Sequence, residues 1–203
     1  EAGTSLQERM ERLSTFVHRH RLDWPIVLKP DIGERGLGVR FAADAEAARE
    51  YLERAGYDVI AQAQVGGAEF GVFYYRLPGE EQGRIFAVTE KHLPEVTGDG
   101  VLTLEQLILT DDRSVSSARF FLRQHADRLD WVPFLGQKVA LTLLGTHSRG
   151  ALFTDGARLV TPALEAAIDR VSQGHRGFYF GRYDLRAAGA EMLMAGGPFT
   201  VLE

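Results

Sequence analysis

Residues 27–39 read VLKPDIGERGLGV, and this stretch guides the interpretation of the whole chain. A strand-like run ends in Lys29, and three glycines, Gly33, Gly36 and Gly38, follow between residues 33 and 38. Glycine lets backbone N–H groups approach a phosphate and adopt positive φ, while a strand lysine supplies a point charge. The lysine precedes the glycines, so this is not a Walker A motif, and the spacing of the glycines is not that of the dinucleotide fingerprint. The stretch suits a nucleotide phosphate, and a hairpin with a solvated lysine is the alternative.

The spacing of apolar residues outside this stretch predicts a mixture of helices and strands. The predicted strands are 24–29, 57–63, 70–76, 84–91, 138–144, 178–186 and 199–203. Helices are predicted over 5–20 and 114–129, after the N-cap Asp44, after the capping box of Thr103, and from Thr161 and Pro162. The order of these elements indicates an α+β fold with mostly antiparallel strands in one or two lobes.

Composition excludes several classes of function for this chain of 203 residues. A net charge of -5 argues against binding nucleic acid, which requires a basic surface. No apolar run is long enough to span a membrane, so no membrane contact is expected from this segment. The absence of cysteine excludes thiolate chemistry. His92, His125 and His175 show no ligand spacing and are predicted to be surface residues.

Two acidic residues near the end of the chain form the second informative pattern. Asp184, in the sequence GRYDLR, and Glu203, in TVLE, lie on two predicted strands joined by a short connection. Paired strands bring such side chains to one face, and carboxylate pairs hold Mg²⁺ against nucleotide phosphates. Arg182 lies two residues before Asp184 and therefore on the same face. The alternative is a pair of solvated surface acids.

Taken in order, these segments resemble the ATP-grasp superfamily, in particular ligases of the D-alanine–D-alanine ligase type, over residues 24–203. The resemblance implies an ATP-grasp fold, in which two α+β lobes with mostly antiparallel sheets enclose the nucleotide. It predicts a leading helix or linker over 1–23, a smaller lobe with the glycine-rich loop over 24–66, and a larger lobe over 67–203 that is truncated at its C-terminus.

The same resemblance implies a role for each motif residue. Lys29 would bind phosphate, the three glycines would close over it, and Lys91 would make a second phosphate contact. Glu69 would take the ribose hydroxyls, Asp184 and Glu203 would hold the metal, and Arg182 would steady the acyl phosphate. The residues expected beside adenine are Gln62, Gln64 and Val65. The family usually has an asparagine two residues after the last acid, which is beyond Glu203, and a preceding N-terminal domain, so further domains are expected.

The activity implied is a carboxylate–amine ligase that uses ATP and Mg²⁺ and forms an acyl phosphate. Its substrates would be small-molecule or peptide carboxylates and amines, and a cytoplasmic location is expected from the supply of ATP. His147 and Arg149, in the polar loop 145–151, are candidate substrate contacts. The alternatives are another ATP-grasp chemistry, such as a kinase or a carboxylate–thiol ligase, and a non-catalytic nucleotide-binding module of a larger protein.

Overall fold

The structure is a computed structural model that describes residues 3–203, and the chain divides into two compact units. The first unit ends at Val65 and the second covers Gly66–Glu203. The predicted α+β class with antiparallel sheets is confirmed, since every strand pair is antiparallel. Within residues 3–203, no helix is long and apolar enough to cross a membrane.

The first unit is a small antiparallel sheet packed against two helices. Its strands are β1 (Ile26–Pro30), β2 (Arg40–Ala42) and β3 (Val59–Ala63), in the order β2-β1-β3, and its helices are α1 (Leu6–Arg19) and α2 (Ala45–Arg54). Leu13 of α1 and Leu52 of α2 pack on Ile26 and Leu28 of the central strand. Helix α1 therefore belongs to the core of this unit and is not a detached linker.

A buried arginine joins the two helices of the first unit. The Arg9 side chain donates to the carbonyls of Leu52 and Ala55 at 2.7 and 2.6 Å, and to that of Tyr57 at 3.2 Å. The last carbonyls of a helix have no partners within the helix, so Arg9 satisfies the carboxyl end of α2 from a neighbouring helix. The amino end of α2 is capped as predicted, because Asp44 Oδ1 accepts from the Ala47 amide at 2.8 Å.

The second unit contains a five-stranded sheet in the order β10-β9-β4-β5-β8 and a separate two-stranded sheet, β6-β7. The strands are β4 (Ala68–Tyr75), β5 (Arg84–His92), β6 (Glu95–Thr97), β7 (Lys138–Ala140), β8 (Leu152–Asp155), β9 (Phe180–Ala187) and β10 (Phe199–Val201). The helices are α3 (Leu104–Thr110), α4 (Ala118–Gln124), α5 (Pro162–Gln173) and α6 (Ala190–Met194).

Apolar and charged side chains alternate along β4 and β9, so the large sheet has one apolar face and one charged face. Phe70, Val72 and Tyr74 of β4 belong to a core that includes Leu164 and Ile168 of α5. The opposite face carries the residues between them, which include most of the charged side chains discussed below. One face thus supplies stability and leaves the other available for polar chemistry.

Two carboxylates of α5 hold amides at the start of β5. Asp169 accepts from the Gly83 amide at 2.9 Å and from the Tyr74 hydroxyl at 2.7 Å, and Glu165 accepts from the Ile85 amide at 3.1 Å. Burial, and then the bond to Asp169, raise the pKa of Tyr74 to about 12. Strand β5 pairs with β8 only from Thr89 to His92. Before that segment, the amides of Gly83 and Ile85 therefore find their hydrogen-bond acceptors on a helix rather than on a strand.

The capping box at Thr103 is confirmed, but the predicted helix over 114–129 is wrong. A short 3-10 turn covers Ser114–Ser117, and α4 ends at Gln124. Residues after α4 bond to the start of α3, since the Leu104 and Glu105 amides donate to the Trp131 and Leu129 carbonyls. These long-range bonds replace helical ones.

His125, predicted to be at the surface, is instead buried, with 6% of its surface exposed. Its Nε2 lies 3.1 Å from the Leu141 carbonyl, and Arg128 donates to its Nδ1. A carbonyl accepts only, so Nε2 carries the proton and the ring is neutral. Burial is the main cause that lowers the pKa of His125.

The predicted strand over 138–144 is also wrong in its extent, because β7 ends at Ala140. The Leu141 amide donates to the carbonyl of Pro94, but proline has no N–H to return a bond, so the ladder with β6 stops there. The chain then turns into the loop that leads to residues 145–150.

Candidate functional site

The glycine-rich loop connects β1 to β2 in the first unit, and two of its glycines require their residue type. Gly36 and Gly38 have φ of 69° and 73°, and Arg35 between β1 and these glycines has φ of 56°. Gly33 lies outside the positive-φ region, and a Cβ there would meet only ordinary contacts, the nearest at 3.6 Å. Lys29 is half-buried on β1. The Leu37 and Val39 amides donate to the Glu34 and Gly36 carbonyls at 3.0 and 3.4 Å, so some of the loop's N–H groups are used within the loop.

Two tyrosines hold the carboxyl end of this loop. Tyr51 of α2 donates to the Gly38 carbonyl at 2.7 Å, and its hydroxyl lies 3.3 Å from that of Tyr57. A Cβ on Gly38 would lie 2.7 Å from Pro30 Cγ and 3.2 Å from the Tyr57 hydroxyl oxygen. Burial, and then the bond to Tyr57, raise the pKa of Tyr51, so this hydroxyl keeps its proton and remains a donor.

The residues predicted beside adenine lie at the end of the first unit. Gln62 is on β3 opposite Val27, and Gln64 and Val65 follow that strand. The Gln64 Oε1 atom is buried and accepts no hydrogen bond from any of residues 3–203. A buried acceptor without a donor is a position at which an amino or amide group of a ligand would be stabilised.

The second unit brings Glu69, Lys91 and a residue not singled out from the sequence, Arg186, into one buried cluster. Strand register places Glu69 of β4 opposite Lys91 of β5 on one side and opposite Arg186 of β9 on the other. Lys91 Nζ donates to Glu69 Oε1 at 3.0 Å, and Arg186 Nη2 donates to Glu69 Oε2 at 2.9 Å. Both carboxylate oxygens of Glu69 therefore have cationic partners.

Lys91 also reaches Asp184, which lies on β9 opposite Gly71 of β4. Its Nζ lies 2.7 Å from Asp184 Oδ2, and the lysine side chain is only 3% exposed. Gly71 lies between the two strands, and a Cβ there would lie 3.6 Å from Asp184 Oδ1. The space across β4 is open because this residue has no side chain.

Arg182 and Asp184 are paired as their spacing on β9 predicts. Arg182 Nε lies 3.0 Å from Asp184 Oδ1, and Arg182 Nη2 donates to Oδ2 at 3.3 Å. The angle at Oδ1 does not make a hydrogen bond, and this buried atom accepts none from residues 3–203. Arg182 is half-exposed, and its guanidinium lies 5.8 Å from the centroid of the Phe73 ring.

Glu203 is placed beside Asp184 by its backbone. The Asp184 amide donates to the Glu203 carbonyl at 3.0 Å, and the Leu202 amide donates to the Asp184 carbonyl at 2.7 Å. Strand β10 itself ends at Val201, two residues earlier than predicted. In the described part of the chain, no three acidic or histidine side chains form a group able to hold a metal ion.

The loop predicted to contact substrate lies over the charged cluster at its first residue. A Cβ on Gly145 would lie 2.4 Å from Glu69 Oε1, so only glycine allows this approach. His147 stacks on Phe153 of β8 with ring centroids 3.8 Å apart, and Lys91 Nζ lies 5.5 Å from the Phe153 centroid. Arg149 instead lies over the Phe120 ring at 4.1 Å, beside α4.

The structure thus unites Glu69, Lys91, Asp184 and Arg182 on one sheet face and adds Arg186 and Gly145. Arg186 follows Asp184 by two residues, so the period-2 rule that selected Arg182 could also have selected it. Gly145 gave no such signal, because its contact with Glu69 joins residues far apart in sequence. The ligand roles assigned from the sequence remain predictions.

The comparisons with known proteins concern the fold. No family model matches the chain, and no curated protein sequence matches it. The chain is similar in fold to two solved ligases. One is a bifunctional glutathione synthetase from Pasteurella multocida, with 19% identity and a TM-score of 0.44 over 98% of this chain and 28% of that one. The other is the VanG D-Ala:D-Ser ligase from Enterococcus faecalis, with 15% identity and a TM-score of 0.42 over 87% of this chain and 40% of that one.

The chain spans less than half of the length of either ligase. At these identities and TM-scores the likeness carries no conclusion about activity or ligands.

Proposed function

We propose that this chain is the nucleotide-binding core of an ATP-grasp enzyme that activates a carboxylate as an acyl phosphate and joins it to an amine. The observation that carries the proposal is the charged face of the second unit, where Lys91 joins Glu69 to Asp184 and Arg182 flanks Asp184. These four residues come from separate sequence motifs, and they lie in contact on that face, as residues of one site must.

The charge of this face suits a phosphate ligand. Its cations are Lys91, Arg182 and Arg186, and its buried carboxylates are Glu69 and Asp184. These five side chains carry one more positive than negative charge, and Glu203 beside Asp184 brings the total to zero. Arginine and lysine donors are the usual partners of phosphate oxygens. Lys29 and the glycine-rich loop of the first unit are the further phosphate contacts that the resemblance implies.

The residues present fit a magnesium ion. Asp184 Oδ1 is buried and accepts no hydrogen bond among the described residues; its near neighbour is Arg182 Nε at 3.0 Å, so a cation could bind this carboxylate oxygen in its place. Mg²⁺ is commonly bound through one or two carboxylates together with substrate phosphates, and Asp184 with Glu203 would supply them. A bound ion would neutralise charge on the phosphates.

The reaction proceeds in two steps under this proposal. A substrate carboxylate oxygen attacks the γ phosphorus of ATP, the bond to the bridging oxygen breaks, and ADP leaves. An amine then attacks the acyl carbon, phosphate leaves, and the amine loses a proton. Arg182 is half-exposed beside Asp184 and would stabilise negative charge on the acyl phosphate. Lys29 and the amides around Gly36 and Gly38 would orient the phosphates.

The test is thermal unfolding with and without MgATP. A ligand at 100 times its Kd stabilises the folded state by about 2.7 kcal/mol, which corresponds to a Tm rise on the order of 5–10 °C for a chain of this size. We expect Asp184→Asn to abolish most of the rise and the exposed control Asp112→Asn to retain it. An unchanged Tm in the unmodified chain at millimolar MgATP, or an equal rise in Asp184→Asn, contradicts the proposal.

The acceptor is tested separately. Phosphate release from ATP is measured with candidate carboxylates in the presence and absence of amines, thiols and alcohols. Release that depends on both a carboxylate and an amine supports the ligase. Phosphoryl transfer without an amine or a requirement for a thiol supports the other two chemistries.

A further inference from the structure

Lys91 occupies one oxygen of the carboxylate that the proposed function assigns to the metal. Its Nζ is 2.7 Å from Asp184 Oδ2 and 3.0 Å from Glu69 Oε1, and its side chain is 3% exposed. A buried ammonium is stable only when it is paired, and here it is paired with the carboxylate proposed to hold the metal.

The two carboxylates differ in how much they depend on Lys91. Glu69 is also held by Arg186 at 2.9 Å and is covered by Gly145, where a Cβ would lie 2.4 Å from Oε1. Asp184 is 16% exposed, and its Oδ1 accepts no hydrogen bond in the described part of the chain, although the half-exposed Arg182 lies 3.0 Å from it through Nε. Glu69 is therefore fixed, whereas Asp184 has capacity to change partners.

A divalent cation and the Lys91 ammonium compete for Asp184. Mg²⁺ binds carboxylate oxygens at about 2.0–2.1 Å, so an ion on Oδ2 would lie within a few ångströms of Nζ. Like charges at that distance inside a protein repel strongly. An ion alone offers the ammonium no new partner, but a phosphate oxygen does.

We propose that Lys91 is an internal counter-ion that keeps free divalent cations away from Asp184 and gives up this position when a nucleotide phosphate binds its Nζ. The inference rests on the proposed function, and it makes nucleotide a condition for metal binding. Lys91 then acts as a positioning residue that sets the order of binding, in addition to its predicted phosphate contact.

The experiment measures Mn²⁺ binding without any nucleotide, by titration calorimetry and by the electron paramagnetic resonance signal of free Mn²⁺. We expect Lys91→Met to bind Mn²⁺ about tenfold more tightly than the unmodified protein, a gain of about 1.4 kcal/mol. Adding Asp184→Asn should remove the gain. The control is Lys138→Met, which removes an exposed lysine paired with Glu95 and should leave Mn²⁺ affinity unchanged.

A second variant guards against loss of folding. Lys91→Met leaves two buried carboxylates with fewer cations, whereas Glu69→Gln/Lys91→Met keeps the formal charge of the cluster. Thermal unfolding identifies which variant is folded, and the double variant should show the same gain in Mn²⁺ affinity. The proposal is overturned if a folded variant binds Mn²⁺ within about twofold of the unmodified protein, or if the gain survives Asp184→Asn.

The outcome is distinguishable from failure of the proposed function. If the unmodified protein binds MgATP and the Lys91 variants gain no Mn²⁺ affinity, the counter-ion role is overturned and the nucleotide site stands. If the variants gain Mn²⁺ affinity and the unmodified protein does not bind MgATP, exclusion of the cation by Lys91 is supported and the nucleotide proposal fails.

Discussion

The glycine-rich loop of the first unit and the charged face of the second unit are built in opposite ways. The glycine-rich loop of the first unit is exposed, with Ile32 at 92% and Leu37 at 58%, and hydrogen bonds hold its two ends, from Asp31 to Asp58 and from Tyr51 to Gly38. On the charged face of the second unit, Lys91 and Arg186 are buried, at 3% and 10%, and both are paired with Glu69. Regions with few buried contacts open at low free-energy cost, whereas buried ion pairs resist separation. By these measures, the buried ion pairs of the second unit are held more firmly than the glycine-rich loop of the first unit.

The largest effect is expected from a substitution in the buried cluster around Glu69. Arg186→Met removes the bonds to Glu69 Oε2 and to the Leu143 carbonyl and leaves the buried Glu69 with less compensating charge. We expect the free energy of unfolding, measured by chemical denaturation, to fall by about 3 kcal/mol. The control Arg12→Met breaks a half-exposed pair with Glu8 and should cost less than about 0.5 kcal/mol. Equal losses in the two variants would show that the buried Arg186 contributes no more to stability than an exposed ion pair does.

A smaller effect is expected in the loop, where ligand binding should change more than stability. Gly38→Ala places a Cβ at positive φ and against Pro30, which costs about 1–2 kcal/mol. We expect the Kd for MgATP, measured by titration calorimetry, to rise by at least the factor that corresponds to this free-energy cost. Gly33→Ala is the matched control, since its Cβ would meet only ordinary contacts. The same Kd in both variants would show that loop conformation does not affect binding.

The smallest effect is expected from removing the hydrogen bond between Tyr51 and Gly38 at the end of the loop. Tyr51→Phe removes one hydrogen bond to Gly38, which is worth about 1 kcal/mol. Tryptic cleavage after Arg35 should become faster, because the loop loses the hydrogen bond from Tyr51 that holds its carboxyl end. Tyr57→Phe keeps the Tyr51 bond to Gly38 and should be cleaved at the original rate. Faster cleavage in both variants would mean that the tether is the tyrosine pair rather than Tyr51.

Features with local causes could be predicted from the sequence. The N-cap at Asp44, the capping box at Thr103 and the helix that begins at Pro162 each depend on residues a few positions apart, and all three are confirmed. The α+β class follows from the same local patterns. The motif order also selected Glu69, Lys91, Asp184 and Arg182, which meet on one face.

Features set by distant partners could not be predicted. Whether Lys91 meets Glu69 or Asp184 depends on strand register, which brings together residues 22 and 117 positions apart around Glu69. The end of α4 depends on bonds from residues 129–131 to α3, and the burial of His125 depends on the Leu141 carbonyl. No local pattern reports such contacts.

The carboxylates that α5 extends to β5 also affect how copies of the chain meet. An open strand edge offers unpaired amides to any neighbouring strand and so promotes aggregation. Here Asp169 and Glu165 occupy the amides of Gly83 and Ile85, and they place negative charge along the same edge. This stretch of the sheet is thereby closed to strand addition by a helix of its own chain.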